Sequence, residues 1–525
     1  MNLKGLNFLG KNRFGTGVET FRAVNPASGE MMLPEYFTAA SAEIAECVEL
    51  AHEAFQIYRN KSGEEKAVLL ETIAAEILEL GDELLVRCSE ETGLPNARLI
   101  GERGRTVNQL KLFAELLREG SWVDARIDQA MPERQPLPKP DVRSMEKPIG
   151  AVAVFGASNF PLAFSVAGGD TVSALAAGCT VVFKAHPAHP GTCEMIASAI
   201  QKACAKCEMP DGIFSMVQGA SVEVGMTLVK HPLIKAVGFT GSFKGGKAIF
   251  DAAVRRDEPI PVYAEMGSVN PVFILPEALR QRNEQIAVGL TNSVTLGVGQ
   301  FCTNPGVFIL QNSADSEIFE QKLAENIQKT TGGVMLTAGI KQAYENGVEI
   351  LLAQPEVELV AKSENSSGQN FSPANFLKTN SADFLANKDL EEEIFGPSTL
   401  AVGADNKDEI LEIARNLKGH LTASIFADGN DFVEYRELFD ILEQKVGRLI
   451  INEFPTGVEV CHAMVHGGPF PATTDRRTTS VGTRAITRFT SPVCYQNFPD
   501  SLLPDELKNA NPLSIWRIVD GNRER

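Results

Sequence analysis

A chain of 525 residues is too long to close around one hydrophobic core, so it divides into two or three domains. Its 44% hydrophobic and 22% charged residues are ordinary for a globular protein and exclude disordered and fibrous classes. A formal charge of -18 argues against nonspecific binding to nucleic acid or an anionic membrane, since both need a positive surface.

Nine cysteines, an odd number scattered along the chain, do not form a disulfide framework and suggest a reducing cytoplasm. The first eleven residues are broken by glycine, asparagine and lysine, so no signal peptide is expected. The most apolar stretch, Ser165 to Phe183, contains Gly168, Gly169, Asp170 and Gly178, which suit a buried helix followed by a strand better than a membrane span.

Residues 41–120 carry helix formers with apolar positions three and four apart, as from Ala67 to Leu78, and predict a helical layer. The proline-bearing run Met131 to Pro140 reads as an exposed connection or arm. From Pro148 short apolar runs alternate with helical patterns: Gly150–Phe155, Thr180–Phe183 and Ala236–Phe239. Such alternation predicts βαβ units and a parallel sheet covered on both faces, with ligands beyond the carboxyl ends of its strands. After Glu265 the alternation resumes with Asn270–Leu275, a helix to about Leu296 and a strand at Gly306–Leu310, a second α/β domain reaching roughly residue 470. The tail supplies a strand expected to pair with the segment near 140.

Several residues at predicted strand ends carry chemistry. Asn159 follows the first strand, where its amide can donate to an oxyanion or cap a turn. Lys184 follows the second and can bind ribose hydroxyls or phosphate. Gly241, Ser242 and Gly246 lie in a turn that opens a helix, which suits a phosphate and equally an ordinary strand-to-helix turn. Glu265 ends a strand and would serve as a general base if burial raised its pKa. Cys302, set among Gly297, Gly299 and Gly306, is a candidate nucleophile, provided that its thiol can become a thiolate. Cys204 with Cys207, and Cys461 and His462 with His466, are the metal-like groupings. Neither has a matching second ligand set in sequence, so core or surface positions and no metal are expected.

Taken in order, Asn-Phe-Pro at 159–161, Lys184, Phe-Thr-Gly-Ser at 239–242, Glu265 with its Met-Gly and Asn-Pro, Gly-Gln-Phe-Cys at 299–302 and Glu393-Ile-Phe-Gly-Pro397 resemble the aldehyde dehydrogenase superfamily. The resemblance implies an α/β fold with a Rossmann-type cofactor domain (1–130 and 148–264), an α/β catalytic domain (265–470) and a small β oligomerisation arm (131–147 and 471–525), in a homodimer or homotetramer. It further implies that Cys302 attacks an aldehyde, that Asn159 and the Cys302 backbone amide hold the oxyanion, and that Glu265 activates water to release a carboxylic acid. Glu393 and Phe395 would position the nicotinamide ribose and ring. NAD-preferring members often carry a glutamate where His186 stands, so NADP is the expected cofactor, with NAD possible. Ser268-Val269 also departs from the common pattern, without mechanistic consequence.

The segments 101–110 and 454–469 are similar to the branch acting on 2-oxoglutarate semialdehyde, also called 2,5-dioxopentanoate. Register with that branch puts Arg105 on a helix lining the substrate tunnel, where it can clamp a carboxylate, with Phe160 as a further substrate contact. An NADP-dependent fatty or general aldehyde dehydrogenase is the alternative within the family. A non-catalytic binding or structural protein on the same fold is the alternative outside it.

Overall fold

The computed structural model describes residues 3–364 and 368–525; Met1 and Asn2 of the leading segment lie outside that range. The three larger sheets among the described residues organise the chain. In the first, five parallel strands run in the order Val262–Glu265, Ile234–Thr240, Ala151–Phe155, Thr180–Lys184, Phe214–Val217, and the antiparallel strands Asn7–Leu9 and Asn12–Phe14 extend it. Ala151–Phe155 pairs with both Thr180–Lys184 and Ile234–Thr240, so the strand order reverses direction around it. That reversal opens a crevice at the carboxyl ends, where Asn159 and Gly241 follow their strands.

The central strands are buried along nearly their whole length because helices cover both faces. The expected helical layer supplies one cover. Helix Asn96–Glu119 buries Leu99, Val107, Leu110, Phe113, Ala114 and Leu117, three to four residues apart over most of its length. Each large apolar side chain so buried contributes about 1.5–3 kcal/mol.

The second sheet runs Glu358–Lys362, Asn375–Asn380, Ser398–Ala404, Val307–Gln311, Val272–Ile274, Thr422–Phe426, Arg448–Ile451, parallel except for the first strand. Chain direction decides where the two sheets meet. From Glu265, the last residue of a first-sheet strand, only Met266 to Pro271 intervene before a central strand of the second sheet. Cys302 and Glu393 likewise precede the strands Val307–Gln311 and Ser398–Ala404. Thus the carboxyl ends of the first sheet face the amino ends of the second.

The third sheet has the order Thr490–Gln496, Val142–Pro148, Arg126–Asp128, Arg517–Val519, Asn522–Glu524, over a small core that includes Met145, Leu507 and Ile515. Thr490 pairs with Pro148 and Gln496 with Val142, the pairing expected of the tail. Residues just before it do something else. Met266 donates its N–H to the Ala472 carbonyl (2.8 Å), and Thr474 exchanges bonds with Ala264, so this part of the tail runs beside the first sheet and joins the third only at Thr490. No helix among the described residues is long and apolar enough to cross a membrane.

Candidate active site

Helix Asn96–Glu119 presents Arg98, Glu102 and Arg105 at spacings of four and three, on one face. Glu102 Oε1 accepts from the backbone N–H groups of Leu162 (2.8 Å) and Ala163 (3.0 Å), and Arg98 Nη2 donates to the Asn159 carbonyl (2.6 Å). These bonds hold the loop after strand Ala151–Phe155 against the helix. The Asn159 side chain is buried and donates from Nδ2 to the Gln300 carbonyl at 3.0 Å, which fixes the amide beside Cys302 and leaves its second N–H without a partner among the described residues.

Phe160 packs edge-on against Phe164 (5.4 Å) and Phe301 (5.3 Å). Both guanidiniums approach its ring, Arg98 at 5.0 Å and Arg105 at 5.6 Å. Arg105 also lies 5.0 Å from the Phe164 ring. Its Nε and Nη2 are buried without a hydrogen-bond partner among the described residues. Burial lowers its pKa, while Glu102, Cys302, Glu265 and Glu459 counteract the fall, so this cation sits in the field of the reactive groups.

The turn bearing Cys302 depends on glycine at 297 and, most tightly, at 299. Gly299 has φ +64, and a Cβ there would stand 2.3 Å from the Gly396 carbonyl oxygen. This close approach brings the nucleophile turn against the loop Glu393 to Pro397. Asn270 secures it from below by donating Nδ2 to the carbonyls of Cys302 (2.8 Å) and Asn304 (2.9 Å).

Cys302 is partly exposed, and its Sγ lies 3.4 Å from His466 Nε2. The same nitrogen is 2.9 Å from Glu265 Oε1, and Ser480 Oγ donates to Glu265 Oε2 at 2.5 Å. His466 and Glu265 are both buried. Burial works to raise the Glu265 pKa, but hydrogen bonds with His466, Ser480 and Cys302 hold it below the usual carboxylate range. The condition set on its role as a base, a pKa raised by burial, is not met: Glu265 reaches the ionised state through its partners. Burial also pushes the Cys302 thiol well above its usual range, and the Glu265 carboxylate adds to the effect. The resting nucleophile is therefore a thiol beside a ready base, not a free thiolate stabilised by backbone donors.

His466 is the residue that sequence reasoning missed. It was grouped with Cys461 and His462 as a core or surface position, yet the fold separates it from them functionally and inserts it between Glu265 and Cys302. Its backbone N–H donates to Thr479 Oγ1 (2.8 Å) and its carbonyl accepts from Ser480 N (2.8 Å), so the tail segment aims the ring. The available signal was its place in segment 454–469, similar to the 2-oxoglutarate semialdehyde branch.

The residues expected to hold a dinucleotide divide into exposed, partly buried and packed positions. Gly241 and Ser242 are exposed at the start of helix Phe243–Val254, and the Ser242 hydroxyl accepts the Gly245 N–H (3.2 Å) as a helix cap. Gly246 is buried, and a Cβ there would meet Met266 Cγ at 2.6 Å, so it lets the helix pack against the sheet instead of facing a phosphate. Lys184 Nζ donates to the carbonyls of Gly219 (2.5 Å) and Ala185 (3.0 Å), and burial brings its pKa down to about 8. The His186 ring stacks on His189 at 5.4 Å, and its Nδ1 accepts the Ala188 N–H at 3.1 Å. Burial, with His189 and Lys184 nearby, drives its pKa well below the usual value and keeps it neutral.

Across the crevice, Glu393 and Phe395 line the same pocket as Ser268, Gly299 and Phe301. Burial pushes the Glu393 pKa up to about 7. A Cβ at Gly267 would lie 2.2 Å from Glu393 Oε2, so the missing side chain makes room for this carboxylate. An exposed helix amino end, a lysine at a strand end and a half-buried carboxylate beside the thiol fit a nicotinamide dinucleotide.

This geometry is that of a thiol-dependent oxidoreductase, and the model for the aldehyde dehydrogenase family matches residues 14–491. The chain belongs to that family. It is 49% identical to alpha-ketoglutaric semialdehyde dehydrogenase 2 of Azospirillum brasilense over 525 residues, 100% of both chains. It is 45% identical to alpha-ketoglutaric semialdehyde dehydrogenase of Acinetobacter baylyi over 518 residues, 98% of both chains. Betaine aldehyde dehydrogenase of Staphylococcus aureus, solved with NAD+, shares the fold at a TM-score of 0.80 and 19% identity, covering 95% of this chain and 96% of that one.

Proposed function

We propose that this enzyme oxidises the aldehyde carbon of 2-oxoglutarate semialdehyde to give 2-oxoglutarate, and that it uses NADP at least as well as NAD. The observation that carries the substrate is Arg105, a guanidinium with two buried nitrogens that have no partner among the described residues, packed between aromatic rings and within the field of Cys302 and Glu265. A buried donor without an acceptor costs about 1–3 kcal/mol, more when charged, and a substrate carboxylate relieves that cost. Two relatives of that activity, similar over the whole chain, support the reading.

The residues supply each proton and charge that the reaction needs. Glu265 takes the thiol proton as the aldehyde arrives, and Cys302 Sγ attacks the carbonyl carbon. The oxyanion of the thiohemiacetal falls to the free Asn159 N–H and the Cys302 backbone N–H. When bound, the nicotinamide supplies a hydride acceptor. Glu265 passes the thiol proton to solvent, then takes a proton from the water that hydrolyses the thioester and returns it to the departing Cys302 thiolate. His466, donating from Nε2, keeps that carboxylate in its charged form and stands 3.4 Å from the sulfur as its negative charge develops. On the cofactor side, neutral His186 places no negative charge against a ribose phosphate, as a glutamate would.

A panel of 2-oxoglutarate semialdehyde, succinic semialdehyde, glutaraldehyde and a long-chain aldehyde, each with NADP and NAD, tests this. The highest kcat/KM is expected for 2-oxoglutarate semialdehyde; a preference for the long-chain aldehyde contradicts the assignment.

A further inference from the structure

The three groups around the nucleophile also make a set of metal donors that the oxidation does not use as such. Cys302 Sγ, His466 Nε2 and one Glu265 oxygen all lie within 4.8 Å of one another. One sulfur, one imidazole nitrogen and one carboxylate oxygen are the ligand types that zinc takes in three-ligand sites, with an open fourth position. Tetrahedral zinc with ordinary bond lengths would separate S from N by about 3.6 Å and N from O by about 3.4 Å. Here those separations are 3.4 Å and 2.9 Å, and sulfur and carboxylate oxygen lie within 4.8 Å of each other, so His466 and Glu265 must part by about half an ångström and the sulfur–oxygen pair must settle at about 3.6 Å to hold the ion. Charge also balances, because a dication meets one thiolate and one carboxylate at a buried place.

The geometry points to a reversible inhibitory site for Zn2+ at Cys302, His466 and Glu265. Binding replaces the S–H bond by a Zn–S bond and releases the thiol proton to solvent. His466 shifts its remaining proton from Nε2 to Nδ1, a buried atom with no hydrogen-bond partner among the described residues. No electron is transferred, and the ligated sulfur no longer attacks an aldehyde. Competition between metal and aldehyde thus occurs at the sulfur itself, whichever aldehyde the enzyme prefers.

The test uses the full-length enzyme with Zn2+ or Co2+ as the only added metal. Expected are one ion bound per chain, loss of activity that a chelator restores, and protection of Cys302 from iodoacetamide. Co2+ should give a near-ultraviolet thiolate-to-metal absorption band that Cys302→Ala abolishes, and His466→Ala should weaken binding by at least about 100-fold. The band and the alkylation assay on the unmodified enzyme decide the matter even if His466→Ala fails to fold. A Co2+ complex without the band, a band that persists in Cys302→Ala, or alkylation unaffected by Zn2+ overturns the site.

Discussion

His466 Nε2 lies 2.9 Å from Glu265 Oε1, so a histidine from the segment that precedes the tail holds the ionised form of the base on the first sheet. Its removal should have a pH signature. Glu265 must be a carboxylate to take a proton, and its pKa is held down by His466 and Ser480 against burial. With His466→Asn the depression lessens, so the base protonates at higher pH and the acid limb of the kcat profile moves up. Activity should be lost first on the acid side and recover as the pH rises. A kcat–pH profile with an unmoved acid limb would assign His466 a purely structural role.

Arg105→Ala removes the cation expected to meet the substrate carboxylate. KM for 2-oxoglutarate semialdehyde should rise by about 10- to 100-fold, the worth of a charge-assisted hydrogen bond, while KM for a neutral aliphatic aldehyde changes little. Steady-state kinetics on the pair of substrates checks this, and equal changes would take Arg105 out of the pocket.

His186→Glu puts a negative charge where the adenosine ribose is expected. Discrimination should swing toward NAD, through a fall of about tenfold or more in kcat/KM for NADP. Parallel measurements with the two cofactors read the ratio; a ratio unchanged by the substitution means that the 2′ position is recognised elsewhere.

Glu393, with its pKa pushed up to about 7 by burial, is mostly neutral below that pH and mostly ionised above it. An ionised carboxylate is the stronger acceptor for ribose hydroxyls, so NADPH should bind more tightly at pH 8 than at pH 6. Glu393→Gln should flatten the dependence. Fluorescence titration of NADPH across that range reports it directly.

Gly299→Ala tests how strictly the nucleophile turn is built. At φ +64 and with Gly396 only 2.3 Å from the added carbon, the loop must shift. We expect activity to fall by about 100-fold, the cost of a displacement near 1 Å at the reacting atom, with a smaller change in Tm. Full activity in this variant would show that the two loops can part without consequence.

Much of this architecture was legible in the chain itself. Apolar runs such as Thr180 to Phe183, bounded by glycine and followed by helical spacing, have few other stable arrangements, so the strand ends carrying Asn159, Lys184 and Glu265 could be located. The tail strand opposite residue 142 was legible for the same reason. What could not be read was anything set by long-range approach. Residues 201 positions apart bring His466 to Glu265, and no local spacing encodes that meeting. The same holds for Gly246, whose packing role against Met266 is indistinguishable in sequence from a phosphate contact. Burial at Glu265 could be foreseen, but the hydrogen-bond partners that hold its pKa down could not.

The central claim is that oxidation proceeds through a covalent bond to Cys302. Its most direct test is kcat/KM of Cys302→Ala for 2-oxoglutarate semialdehyde with NADP. A loss of about 10⁴-fold or more is predicted, as when a nucleophile is removed from an otherwise intact site. Activity within tenfold of the unmodified enzyme would contradict the account.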